Sequence, residues 1–415
     1  MKKVVIVGGG VSGLFSAYYL NKLNFDVTII DEYDFDNGCS HGNAGFVVPS
    51  HIIPLASPSM IPKAVKWMFN SKSPLSFYPR LNKDFISWCF KFLRSANKTH
   101  VNNSIVPLRD ISFLSSNLYK EVAEELNNSF GLTSKGLLML YKNEKTAEEE
   151  IALAKLSNKY GIETNILSKS DIQNLDPHCK YDVNGGVIYY CDSHFTPNYL
   201  IKSLVENLKS KNVNLVSNEV IRKIKFSSKH IRSIGGSKDT YEADSFLFAS
   251  GVWTAELLKK LKVNIPLMPG KGYSFNVETR NNFPTYPSIL VDERVAVTPM
   301  NGFLRIGGNM EIDLINHKVR TSRVKNMLDS FIKYYPELKF EMPEEDNIWH
   351  GLRPCSPDGL PYIGKSNKYG NLFIAAGHAM LGMSLGPATG KLISEIISNQ
   401  KTSINIDDYN PERFN

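Results

Sequence analysis

Apolar positions organise the first thirty-one residues of this 415-residue chain. Val4-Val5-Ile6-Val7 is a β-branched run of strand character, residues 11–20 read as an apolar helix, and Val27-Thr28-Ile29-Ile30 is a second strand-like run ending on Asp31. Between the first run and the helix stands Gly8-x-Gly10-x-x-Gly13, so the whole reads as a βαβ unit carrying a dinucleotide fingerprint. Gly8 permits the tight turn, Gly10 admits a pyrophosphate to the backbone, and Gly13 lets the helix lie close to the strand. The first helical N–H groups, at Val11 and Ser12, then face the phosphates. Asp31, followed by Glu32, is placed to accept hydrogen bonds from an adenosine ribose. A merely structural glycine turn would not need that acid in register.

The same patterning predicts helices over 105–127, 145–160, 197–208, 322–335 and 388–398, and strands over 136–140, 186–190, 213–216, 303–306 and 371–377. Ser168 and Asp171 stand where a short helix would start. Residues 220–226, 230–234 and 240–242 suggest a three-stranded meander. The apolar run 245–248 passes into Ala249-Ser250-Gly251, small residues where a parallel strand would reach the cofactor again. Val220, Ala249 and Gly251 are accordingly expected contacts. The length exceeds one hydrophobic core, so two lobes are expected: a discontinuous nucleotide domain from 1–80, 196–261 and 346–415, and a substrate domain from 81–195 and 262–345.

Composition narrows the partners. The chain is 42% hydrophobic and 21% charged with a net charge of +7, yet its lysines are spread out, with no basic stripe interleaved with aromatics, so nucleic acid is not expected. Five cysteines form no CxxC pair, which suits a reducing compartment and offers no metal site. Met1-Lys2-Lys3 and the run behind it resemble a signal peptide, but three consecutive glycines break that run and Asp31 fits a folded strand end. No later apolar stretch is long enough to span a bilayer. A cytoplasmic protein is expected, with the segment 54–93 as a candidate for peripheral contact on the inner face of the membrane. That segment concentrates Trp67, Phe69, Phe85, Trp88, Phe90 and Phe92 among prolines and lysines, and a buried helical pair would explain it equally well.

Five ordered motifs carry a family resemblance: the N-terminal fingerprint, Gly38-Cys-Ser-His-Gly-Asn-Ala-Gly45, Pro269-Gly-Lys-Gly-Tyr-Ser274, Gly351-Leu-Arg-Pro-Cys-Ser-Pro-Asp-Gly-Leu-Pro-Tyr-Ile-Gly364, and Gly377-His-Ala-Met-Leu-Gly-Met-Ser-Leu-Gly-Pro-Ala-Thr-Gly390. Together, and up to the tail Pro411–Phe414, they resemble the FAD-dependent D-amino-acid dehydrogenase family within the D-amino-acid and glycine oxidase superfamily. The resemblance implies an α/β protein with a glutathione-reductase-like FAD-binding Rossmann domain and a discontinuous α+β substrate domain of the D-amino-acid oxidase type, its sheet covering the flavin. Residue spacing agrees, because a lone βαβ unit would serve NAD, whereas further glycine-rich segments at 38–45 and 377–386 suit a fixed tricyclic flavin. Ser40, Asn43, Ala44 and Gly45 in the first, and Gly377, His378, Gly382, Met383 and Ser384 in the second, are the expected contacts. The helix after Gly382 would aim its positive end at the flavin pyrimidine.

Arg353 is the foremost catalytic candidate, since a guanidinium in an apolar Pro/Gly turn needs an anion. A substrate α-carboxylate would satisfy it bidentately, the role of the family's matching arginine; an internal pair with Asp358 is the alternative. Tyr273 would donate to the same carboxylate or be core, and His378 would meet the flavin edge or cap a helix. His51 is a weaker substrate candidate. Related amine dehydrogenases attach FAD to a histidine just ahead of the Ala-Gly pair, where this chain has Asn43 rather than His41, so non-covalent FAD is expected.

The implied reaction is oxidative deamination of a small D-amino acid, D-proline and hydroxy-D-proline among the candidates, by hydride transfer from Cα to flavin N5, with electrons passed to a quinone or other carrier. An oxygen-using oxidase of the glycine or sarcosine type and a non-catalytic flavin module are the competing readings. Arg353 speaks against the module, which needs no carboxylate clamp.

Overall fold

The computed structural model describes residues 1–62, 73, 75–78, 80–278 and 282–415. Val4–Val7 are buried on both sides, as strands covered by helices on each face must be, and they sit inside a six-stranded sheet. Its order is Tyr362–Lys365, Leu372–Ala376, Ser245–Phe248, Lys3–Val7, Asp26–Ile30 and Asn214–Val216, parallel except for the first strand. The helix Val11–Lys22 is buried from Val11 to Leu20, because the sheet covers one side and Gly386–Ile397 and Pro197–Ser210 the others. A Cβ on Gly13 would stand 1.9 Å from the Gly8 carbonyl oxygen, so only glycine lets this helix approach the strand it follows. The meander appears as Lys223–Ser227, His230–Gly235 and Thr240–Glu242.

A second, mixed sheet has nine strands among the described residues. Met268–Glu278 and Phe303–Ile312 form its long antiparallel centre, and Thr321–Tyr334 packs on the latter. The expected domain limits place Leu75–Phe77 and Trp349–Cys355 with the nucleotide lobe; their ladder bonds instead run to Phe303–Ile312 and Met268–Glu278, within this second sheet. The helix assigned to the substrate lobe spans Lys98–Glu125, and its Ile111, Leu118, Tyr119 and Val122 enter the core of the nucleotide lobe. It begins seven residues before the expected start because the Asn97 side chain accepts from His100 N and caps it, and the chain tolerates Pro107 inside the helix.

Within 54–93, Trp67, Met68 and Phe69 lie outside the described residues. The remainder includes a helix, Lys83–Ser95, capped by Asn82. Phe85, Trp88 and Phe92 are buried, and Trp88 Nε1 donates to the Cys355 carbonyl at 2.9 Å, so this face is core. Ile86, Phe90 and Leu93 form a stripe on the opposite side and are 55%, 66% and 54% exposed. One face of this helix is therefore buried core and the other an exposed apolar stripe. Among the described residues no helix is long and apolar enough to cross a membrane.

Candidate functional site

The two sheets enclose a cavity of about 1410 Å³, which runs from the Gly8–Ser12 turn to Arg353 and His51. Gly10, Val11, Ser12, Asp31, Glu32, Ser40, Asn43, Ala44, Val220, Ala249, Gly251, Gly382 and Met383 all line it. A Cβ placed on Gly10 meets nothing nearer than Ser40 Oγ at 3.7 Å, so the backbone there lies open to the cavity. Val11 N donates to Ser40 Oγ at 3.2 Å, joining the two glycine-rich segments. Asp31 accepts from Gly9 N at 2.6 Å and Tyr33 N at 2.9 Å; burial raises its pKa and these two bonds oppose the rise. Together the open cradle, the helix start and the acid suit a dinucleotide.

Four expected contacts do not line the cavity: Gly13, Gly45, Gly377 and Ser384. Ser384 Oγ accepts from Val48 N at 2.9 Å, and its carbonyl accepts from Ser115 Oγ at 2.7 Å, so it ties the 377–386 turn to neighbouring segments. Gly8 takes a left-handed φ of 113° at the turn. His378 does line the cavity, but its Nε2 is bonded to Thr389 Oγ1 at 2.9 Å, and its side chain caps no helix. Burial lowers its pKa to about 4, so the ring is neutral near pH 7.

Arg353 enters the cavity from Trp349–Cys355. Its guanidinium lies where a Cβ on Gly272 would be 2.0 Å from Nη1, so the glycine of the neighbouring strand makes its berth. Nη1 donates to the Asn309 carbonyl at 3.0 Å, and no carboxylate among the described residues pairs with it. Asp358, the alternative partner, is taken by Arg413 at 2.6 and 2.8 Å. Burial lowers the Arg353 pKa, the mark of a cation held without its counter-ion.

Tyr273 lines the cavity, and of its two readings the structure matches core: the ring is buried and its hydroxyl donates to Glu311 Oε1 at 3.2 Å, with the Lys318 carbonyl at 3.4 Å. Glu311, buried beside Lys271, Arg320 and Arg323, claims that hydroxyl, which therefore braces a charged cluster within the sheet. Three cavity groups were not anticipated. His317 Nδ1 and His350 Nε2 lie 3.2 Å apart, and burial, His317 and Lys271 together hold His350 below the usual histidine range. Arg294 lines the cavity from a left-handed backbone position, φ 55°, with no acid paired to it among the described residues. No local motif marks these three: His350 comes from the strand Trp349–Cys355, Arg294 from the turn before Val295–Met300, and His317 from the irregular stretch after Phe303–Ile312. Among the described residues no group of three metal-ligating side chains occurs.

The model of the FAD-dependent oxidoreductase family DAO matches residues 3–396. A D-amino acid dehydrogenase of Helicobacter pylori strain J99 is 29% identical over 407 residues, covering 98% of this chain and 97% of the relative. One from Vibrio atlanticus is 29% identical over 422 residues, covering 99% and 100%. Among solved structures, glycine oxidase from Geobacillus kaustophilus superposes with a TM-score of 0.80 at 22% identity, with both chains covered completely. L-proline dehydrogenase from P. horikoshii gives 0.75 at 18% identity, covering 100% of this chain and 97% of that one. With the family model spanning nearly its whole length, the chain belongs to the DAO family of FAD-dependent oxidoreductases.

Proposed function

We propose that this protein is an FAD-dependent dehydrogenase of D-amino acids. The observation that carries the reading is Arg353, a cavity-facing guanidinium with, among the described residues, a single carbonyl partner and no acid. It has donors left for a substrate carboxylate, which would fix Cα in one orientation. The naming of full-length relatives as D-amino acid dehydrogenases supports the same substrate class. The cradle at Gly10, the start of Val11–Lys22, and Asp31 would hold the nucleotide, while Gly382 and Met383 would meet it from the C-terminal segment. When bound, FAD supplies an acceptor for the hydride on substrate Cα. Arg353 orients the substrate; the product is an imino acid that hydrolyses to a 2-oxo acid and ammonia, or a cyclic imine from a proline-like substrate.

Two finer features belong to the proposal. FAD is held non-covalently: His41 does not line the cavity, and its Nδ1 accepts from Gly38 N at 3.2 Å. Electrons leave to a quinone or other carrier at a membrane face, which the exposed Ile86–Phe90–Leu93 stripe flanked by Lys83, Arg94 and Lys98 would touch. The test is anaerobic mixing of the purified flavoprotein with single D-amino acids, including D-proline and hydroxy-D-prolines. Bleaching of the flavin by one or more, with slow reoxidation in air and rapid reoxidation by a quinone analogue, is expected. Absence of bleaching with all of them would overturn the substrate class, and fast peroxide formation in air would make the protein an oxidase.

A further inference from the structure

From the cavity that Arg353 enters runs a chain of three side chains that hydride transfer itself does not use. His51 lines the cavity, and its Nδ1 lies 3.0 Å from Ser50 Oγ. Ser50 Oγ in turn lies 2.5 Å from Asp192 Oδ2, while Ser50 N donates to Asp192 Oδ1 at 3.1 Å. Asp192 is fully buried, so the Ser50 hydroxyl and the Cys191 thiol, 3.4 Å from Oδ1, are the side-chain groups in contact with its carboxylate. His51 Nε2 has no protein partner among the described residues.

We propose that His51, Ser50 and Asp192 form a proton relay that takes the ammonium proton of the bound amino acid into the protein before Cα is oxidised. The proposal rests on the D-amino-acid reading above and extends it. A serine hydroxyl has one proton to donate. While Asp192 is ionised, Ser50 donates to it and must accept from His51 Nδ1–H, which leaves Nε2 as a bare acceptor facing the cavity. That atom can take the ammonium proton; Nδ1–H then passes to Ser50, and Ser50 Oγ–H passes to Asp192. At the end the amine is neutral, Asp192 is a carboxylic acid, and every bond in the chain has reversed direction. His51 now carries its proton on Nε2, so a second ammonium finds no acceptor until Asp192 loses its proton. No electrons move in these steps.

The groups around the relay favour this use. Burial raises the Asp192 pKa to about 7, within reach of both protonation states. Burial, assisted by Arg294, lowers that of His51 to about 4, so the ring relays a proton and does not store one. Burial pushes up the Cys191 thiol and the Tyr189 phenol, the other titratable groups facing Asp192, beyond the working range. Asp192 is therefore the member that titrates near neutrality.

Two measurements on the FAD-loaded full chain test the relay. Without substrate, the ¹⁵N spectrum of His51 should show its proton moving from Nδ1 to Nε2 as Asp192 is protonated, with a midpoint near 7. That transition should be absent in Asp192→Asn. With a D-amino acid that bleaches the wild-type flavin, kcat/KM should rise with pH through the same midpoint. Asp192→Asn, which keeps the bond from Ser50 N but cannot take a proton, should lose that limb and fall about 100-fold at pH 7, with the deficit shrinking as free amine accumulates at higher pH. Ser50→Ala should behave similarly, and Ser50→Thr, which retains the hydroxyl, should recover. A His51 proton that stays on one nitrogen throughout, or a loss in Asp192→Asn that is uniform across pH, overturns the relay. Failure of the wild type to bleach with any D-amino acid would overturn the substrate reading, while the spectroscopic arm would still decide the relay.

Discussion

Replacing Arg353 by lysine keeps a positive charge in the cavity and removes the planar fork. One of five guanidinium N–H groups is engaged, by the Asn309 carbonyl at 3.0 Å, so a carboxylate can still receive two parallel bonds. A lysine ammonium gives at most one good bond in that geometry. A hydrogen bond involving a charged group contributes about 1.5–3 kcal/mol, so losing one should slow flavin reduction by roughly ten- to a hundredfold. FAD content should not change, because the Arg353 guanidinium bonds the Asn309 carbonyl and no group of the Gly10 cradle. The assay is anaerobic stopped-flow bleaching of the flavin, with the limiting rate and the substrate dissociation constant separated. A second variant sharpens the reasoning. Arg353→Leu removes a cation that has no acidic partner among the described residues, so thermal stability should hold or rise even as turnover is lost. Arg413→Leu strands Asp358, with which Arg413 shares two short bonds, and should cost about 3–5 kcal/mol. Wild-type kinetics in Arg353→Lys with every D-amino acid, or equal destabilisation by both leucine variants, would refute the assignment.

Gly10→Val should abolish FAD retention while the apoprotein still folds, because only open cavity lies around the added side chain, whereas Gly13→Val should prevent folding through its clash with the Gly8 carbonyl; flavin content and circular dichroism distinguish the two. Acid precipitation should release all the FAD into the supernatant, and flavin left in the pellet would show a covalent link. Ile86→Glu with Phe90→Glu should reduce pelleting with anionic vesicles at low salt and leave dye-linked turnover intact, since both side chains point away from the core. Stability should fall as pH drops from about 6.5 to about 4, since His51, His194 and His378 are held near 4 by burial and the unfolded chain binds their protons first. Melting temperatures across that window, with and without His378→Gln, check the sign.

Local patterning was enough to read the βαβ unit, the meander and most helices, because each is specified by its own residues. Lys98–Glu125 was read short at its start because Asn97 acts through one side-chain bond and Pro107 normally argues against a helix. Arg353 was legible for a related reason: an apolar turn with one cation and few acids has a deficit visible in sequence. The two readings of Tyr273 stayed undivided in sequence because Glu311, which takes its hydroxyl, comes from another strand 38 residues away. Ser50 and Asp192 are separated by 142 residues, and nothing in either neighbourhood announces the other.

The strand order of the nucleotide lobe also sets a timetable for the growing chain. Val4 pairs with Ser245 across 241 residues, and Phe246–Phe248 pair with Leu372–Ile374 later still. At about 5–20 residues per second, the first strand, paired on one side with Asp26–Ile30, waits roughly 12–48 s on the ribosome for its second neighbour. Through that interval the βαβ hairpin presents an unpaired, apolar strand edge, the template on which neighbouring nascent chains aggregate. Slower initiation or lower temperature during expression should therefore raise soluble yield more than any stabilising substitution in the finished fold, and chains truncated before Leu372 should accumulate as aggregates rather than as a folded nucleotide lobe.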